Sequence, residues 1–149
     1  MLKEGDKAPA VTGVSYDGRR FDLGAPAKRT VVFFYPKANT GGCTTEAVEF
    51  NGLLDEFAKL GAEVVGASVD KPAANEKWAV KNGLRMPLIS DPGEHTVASA
   101  FGVARPRVGV AKRTTWLIDP DGTLRKVYPK VTPKGHAAEV LAAAEEIWG

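Results

Sequence analysis

Six consecutive positions, Thr30 to Tyr35 ("TVVFFY"), carry β-branched or aromatic side chains with no charge among them. Such an unbroken apolar run predicts a strand covered on both faces, ended by Pro36, which cannot donate to a ladder. A second run of this kind, "AEVVGASVD" over 62–70, predicts another buried strand, and "MPLISD" over 86–91 a short third one. Between the first two the period changes. Phe50, Leu53, Leu54 and Phe57 fall at i, i+3, i+4 and i+7. That spacing predicts a helix over 43–60, with Gly61 as its stop. Ala73 to Asn82, followed by Gly83, predicts a second helix, and Asp91 is placed to cap a third around Glu94 to Phe101. In "HAAEVLAAAEEIWG", Val140, Leu141, Ala144 and Trp148 share one face of a final helix. Two hairpins frame the series after a loop-like start up to Pro9. Asp17-Gly18 separates two short apolar-bearing runs, and Pro120-Asp121-Gly122 separates "TTWLID" from "LRKVY".

The order is hairpin, strand, helix, strand, helix, strand, helix, hairpin, helix. Strands alternating with helices imply an α/β fold with a parallel-containing sheet and helices on both faces; the late hairpin makes the sheet mixed. With 149 residues, no repeat and no linker, the expectation is a single domain over 1–149. Twenty basic and eighteen acidic residues are too balanced to require nucleic acid or an anionic membrane as partner. No apolar run approaches the ~18 residues of a membrane span, and the N-terminus lacks the apolar stretch of a signal peptide. A cytoplasmic protein is therefore expected. His95 and His136 lie far apart, without a cysteine cluster, which argues against a structural zinc site; no metal and no cofactor is expected.

The only cysteine, Cys43, excludes an intrachain disulfide. A lone cysteine is as readily a small buried hydrophobe as a reactive group. Its setting, "FYPKANTGGCTTEAVEF" over 33–49, leaves both readings open and offers several features that chemistry could use. Cys43 stands at the start of the predicted helix, where free N–H groups and the helix dipole favour an anion. Gly41 and Gly42 let the backbone come close to a small ligand. Thr40 offers a hydroxyl, or is only an N-cap. Pro36 can be a strand terminator only. Glu46, in the first helical turn, complements the dipole, yet its carboxylate opposes a thiolate unless a cation offsets it. Several cations could serve, and spacing does not choose among them. The glycine pair lacks the lysine and hydroxyl of a phosphate-binding loop. Trp78 and Trp116 read as core.

Pro36, Thr40 and Cys43 match the PxxxTxxC signature of the peroxiredoxins. The wider stretch resembles their bacterioferritin comigratory protein, or Q-type, branch. "GDKAPA", "VVGASVD", "PLISD" and "RTTWLIDPDG" extend the resemblance along nearly the whole chain. It implies a thioredoxin-like three-layer fold with an added N-terminal β-hairpin. It implies a thiol-dependent peroxidase of hydrogen peroxide and organic hydroperoxides, serving antioxidant defence. Cys43 then corresponds to the peroxidatic cysteine and Arg113 to the arginine that holds the thiolate and polarises the peroxide. Thr40 would hydrogen-bond the peroxide, Pro36 would shield the site, and the N–H groups of Gly42 and Cys43 would add donors. Glu46 would orient Arg113 or a second cation.

The chain departs from that pattern twice. Gly41 stands where many relatives have proline. Val48 stands where many Q-type members carry a resolving cysteine, so a one-cysteine mechanism is implied. The oxidised thiol would be reduced by thioredoxin, glutaredoxin or a small-molecule thiol, or by Cys43 of a second copy. A monomer is expected, with a dimer as the alternative. Three competing functions are a peroxide-sensing thiol switch that oxidises a partner protein, a disulfide oxidoreductase, which Gly42-Cys43-Thr44-Thr45 in place of Cys-x-x-Cys disfavours, and a general holdase.

Overall fold

The computed structural model describes residues 2–105 and 107–149; Met1, the first residue of the expected loop-like start, lies outside them. Two strands open the chain, β1 (Thr12–Val14) and β2 (Arg20–Asp22). They pair antiparallel around Asp17-Gly18, with Gly13 opposite Phe21. Gly18 takes φ 92°, which a side chain would resist. There follow β3 (Arg29–Phe34), α1 (Gly41–Gly52), α2 (Leu54–Lys59), β4 (Ala62–Ser68), α3 (Pro72–Asn82), β5 (Leu88–Ser90) and α4 (Thr96–Ala100). A small pair, β6 (Ala104–Arg105) and β7 (Val110–Ala111), precedes β8 (Thr114–Ile118), β9 (Leu124–Tyr128) and α5 (His136–Trp148).

The central sheet has the order β5-β4-β3-β8-β9. The β3–β4 and β4–β5 pairs are parallel and the β3–β8 and β8–β9 pairs antiparallel, so the sheet is mixed as expected. Successive residues of β3 divide between two cores. Val31 and Phe33 pack with Phe50, Phe57, Trp78, Val140 and Trp148 from α1, α2, α3 and α5. Val32 and Phe34 pack with Phe21 of β2, Val97 of α4, Phe101 and Trp116. Helices thus cover both faces, with the N-terminal hairpin beside α4, in the three-layer thioredoxin-like arrangement that the resemblance implied.

Local chemistry explains the boundaries. Gly61 and Gly83 both take left-handed φ just beyond α2 and α3, as helix-stopping glycines do. The Asp91 carboxylate accepts from the N–H groups of Val97 (3.1 Å) and Ala98 (2.9 Å), capping a helix shorter than the expected 94–101. The continuous helix expected over 43–60 is corrected to two. Leu53, at φ −111° and ψ 8°, ends α1 and precedes α2. The break follows Gly52, a poor helix-interior residue, and the bend keeps Phe50 and Phe57 buried with Leu53 and Leu54 packed against them. The β6–β7 pair was not foreseen, because strands of two residues are too short to show a period.

Candidate active site

Antiparallel pairing brings the site together. Phe34 of β3 lies opposite Thr114 of β8. Arg113, one residue before β8, therefore arrives where β3 ends and the loop 35–40 leaves for α1. The loop is held by its backbone: the Ala38 N–H donates to Asp70 Oδ2 at 2.8 Å, and Asn39 takes φ 65°. Asparagine tolerates that left-handed conformation better than most residues. Trp78 Nε1 donates to Thr44 Oγ1 at 3.0 Å, fixing the first turn of α1 to α3.

Cys43 is fully buried, on the third residue of α1. Arg113 Nη2 donates to its Sγ at 3.4 Å, while Nη1 donates to Glu46 Oε1 at 2.7 Å. Residues three apart on a helix are neighbours on one face, and the two ends of a planar guanidinium match that spacing. Gly42 makes the approach possible. A Cβ there would lie 3.2 Å from Arg113 Nη2 and 3.4 Å from Pro133 Cγ. A side chain at Gly42 would crowd Arg113 and Pro133, so the close approach of Arg113 is itself a reason for glycine at this position. A Cβ at Gly41 would meet nothing within 4 Å.

Glu46 is also fully buried, and its Oε2 has no hydrogen-bond partner among the described residues. Burial lifts its carboxyl to about 7, against the opposing charge and hydrogen bond of Arg113. For Arg113 itself, burial works against the cation, but the charges of Cys43 and Glu46 and the hydrogen bonds to them outweigh it and hold the guanidinium above its usual value. The more Glu46 keeps its proton, the more of the arginine's charge is left for the sulfur.

The remaining expected residues lie on the loop between β3 and α1 and in the first turn of α1. Pro36 and Arg113 both line a cavity of about 500 Å³. Thr40 has the extended backbone of an N-cap, but its side chain caps nothing: the hydroxyl donates to the Lys37 carbonyl at 2.9 Å. With its proton so used, that oxygen is left to accept. The Thr44 N–H closes the first turn onto the Thr40 carbonyl at 2.9 Å. The N–H groups of Gly42 and Cys43 stand ahead of that turn, where a helix supplies no acceptor. Trp78 and Trp116 are core residues, 1% and 0% exposed. Asp70, Thr44 and Pro133 were missed as supports; the only signal was Asp70 as the last residue of the strand predicted over 62–70, where the structure ends β4 at Ser68. Among the described residues no cluster of three His, Cys, Asp or Glu side chains could hold a metal.

Comparison with known proteins places this geometry. The model of the AhpC/TSA family matches residues 4–127. Peroxiredoxin Bcp of Xanthomonas campestris is 40% identical over 119 residues, 76% of this chain and 74% of that protein. Peroxiredoxin Bcp of Escherichia coli K12 is 36% identical over 147 residues, 94% of each. Among solved structures, peroxidoxin BcpB of Mycobacterium tuberculosis superposes with a TM-score of 0.89 at 35% identity, covering 100% of both chains. The X. campestris bacterioferritin comigratory protein, described for its alkyl peroxide reduction activity, superposes at 0.85 and 33% identity, covering 95% of this chain and 94% of that one.

Proposed function

This chain belongs to the AhpC/TSA family, and from that premise we propose that Cys43 is the peroxidatic cysteine of a thiol-dependent peroxidase of the Bcp type. The observation that carries the assignment is the Arg113 fork, one arm on Cys43 Sγ and the other on buried Glu46. The Cys43 thiolate attacks the terminal oxygen of a hydroperoxide. An S–O bond forms as the O–O bond breaks, and the departing alkoxide takes a proton to leave as an alcohol, or as water from hydrogen peroxide. Cys43 is left as a sulfenic acid. Charge moves onto the peroxide oxygens during that step, and a preorganised guanidinium is placed to stabilise it. The N–H groups of Gly42 and Cys43 add donors, the Thr40 oxygen accepts from the peroxide O–H, and Pro36 walls the site. Glu46 is a positioning residue: it holds one arm of Arg113 so that the other lies on the sulfur.

Cys43 is the only cysteine and Val48 stands at the resolving position, which supports a one-cysteine cycle. An external thiol forms a mixed disulfide with Cys43 and releases water; a second thiol then frees Cys43 as a disulfide departs. Thioredoxin, glutaredoxin or a small thiol suits that role, in a reducing compartment such as the cytoplasm. No helix among the described residues is long and apolar enough to cross a membrane. We assign the whole activity to one domain, 1–149, working as a monomer.

Hydrogen peroxide consumption with excess dithiothreitol tests the proposal. Native protein turns over many times and Cys43→Ser not at all. Thr40→Ser stays active, and Thr40→Val, which keeps the shape but loses the hydroxyl, is badly impaired. A single slow oxidation without turnover would instead mark a peroxide sensor.

A further inference from the structure

The cavity beside Arg113 is larger than the peroxide chemistry needs. It measures about 500 Å³, whereas a water molecule occupies ~30 Å³ of liquid. It is the size of a small-molecule site. Its lining is one-sided in charge: Arg105, Lys112, Arg113 and Lys130 contribute four cations, and among the described residues no aspartate or glutamate lines it. The chain as a whole carries only +2, so this concentration is local. Among the described residues, Arg105, Lys112 and Lys130 have no ion pair and no side-chain hydrogen bond, unlike Arg113. Pro36 and Val131 supply apolar wall between the charges. Arg113 connects this trough to the chemistry, because its Nη2 lies 3.4 Å from Cys43 Sγ.

We infer that the trough formed by Arg105, Lys112 and Lys130 binds the carboxylate of a low-molecular-weight acidic thiol and delivers its sulfur to oxidised Cys43. This rests on the peroxidase reading above and names the reductant class for it. The single-cysteine chain requires a thiol from outside, and a concave site of this volume accommodates a small molecule. The carboxylate sits among these three cations while the thiol extends past Arg113. There the reductant's thiolate attacks the sulfenic sulfur. An S–S bond forms, the S–O bond breaks, and the hydroxide leaves as water after taking a proton. A second molecule of the same thiol attacks the mixed disulfide, releasing the Cys43 thiol and the oxidised reductant, so two electrons from two thiols match the two taken by the peroxide.

The test compares 3-mercaptopropionate with its neutral amide, normalised for thiolate fraction. Pre-formed sulfenic protein is mixed with each thiol, and remaining sulfenic acid is trapped with dimedone and counted by mass spectrometry. The acid is expected to react about tenfold faster than the amide at low salt, the effect of two or three partly exposed ion pairs. Added salt erodes that preference. Arg105→Gln, Lys112→Gln and Lys130→Gln combined bring the ratio to one, while oxidation by hydrogen peroxide proceeds at the native rate, which also reports an intact fold. Equal rates for acid and amide in the native protein, or a preference that survives the triple substitution, overturn the inference. A second arm compares a carboxylated hydroperoxide with tert-butyl hydroperoxide in the oxidation step. If the substitutions slow only the carboxylated hydroperoxide, the trough serves the oxidant and the assignment to the reductant is wrong. Failure of every thiol to restore oxidised protein would instead count against the peroxidase reading itself.

Discussion

Glu46 shares with Cys43 the guanidinium of Arg113 and the complete burial of its side chain. Its carboxyl titrates at about 7 in the fold, against 4.5 in an ordinary setting, chiefly because of that burial. Between those two values the folded chain binds a proton that the unfolded chain has released. Stability is therefore full below the lower value and falls as pH rises toward the upper one, by on the order of 3 kcal/mol. Glu46→Gln cannot titrate, so urea unfolding of that variant between about pH 5 and about pH 8 lacks this fall. The same loss in both proteins would remove Glu46 from the account. Arg113 has a separate readout. Arg113→Met keeps much of the stem and removes the donors. It is expected to slow peroxide reduction about a hundred- to a thousandfold, ~2.7–4 kcal/mol of transition-state stabilisation. Alkylation of Cys43 by iodoacetamide slows as well. Unchanged rates in both assays would leave the 3.4 Å contact without a chemical role.

At the scale of the element, α1 and α2 together carry most of what the sequence displayed. The i, i+3, i+4, i+7 pattern marked the buried face, and Gly61 marked the end. Two things were hidden. The break at Leu53 depends on how the apolar face wraps the sheet, which periodicity alone does not report. The closeness of Gly42 to Arg113 depends on the β3–β8 register, a relation across 70 residues between Cys43 and Arg113 that no local pattern encodes. The arginine's role came from the family resemblance, since several cations were equally available to the spacing argument. Helix α1 also decides what a restored resolving cysteine would do. Cys43 is buried and Val48 is 46% exposed on the same helix. Five residues rise ~7.5 Å along the axis, beyond the ~6.8 Å that a disulfide spans. Val48→Cys treated with one equivalent of peroxide is therefore expected to form the 43–48 bridge only with loss of far-ultraviolet helical signal. A bridge formed with full helicity would contradict the continuous α1.

Across the whole molecule, one sheet aligns every part of the site. The parallel β3–β4 pair sets Asp70 beside the loop 35–40, and the antiparallel β3–β8 pair delivers Arg113 to the same end. Arg29, at the opposite end of β3, donates to the carbonyls of Leu60 and Trp148, tying the C-terminal ends of α2 and α5 to the strand that leads to Cys43. The central strands were legible along the chain because the buried ones announced themselves as apolar runs; the β6–β7 pair, which contributes Arg105 to the basic trough, was not. Everything at the larger scale converges on one sulfur atom. Intact-protein mass spectrometry after one equivalent of hydrogen peroxide, followed by dimedone and peptide mapping, tests that most directly. The account predicts a single added oxygen, on Cys43, captured by dimedone. An oxygen found on a methionine instead, with Cys43 still a free thiol, would contradict it.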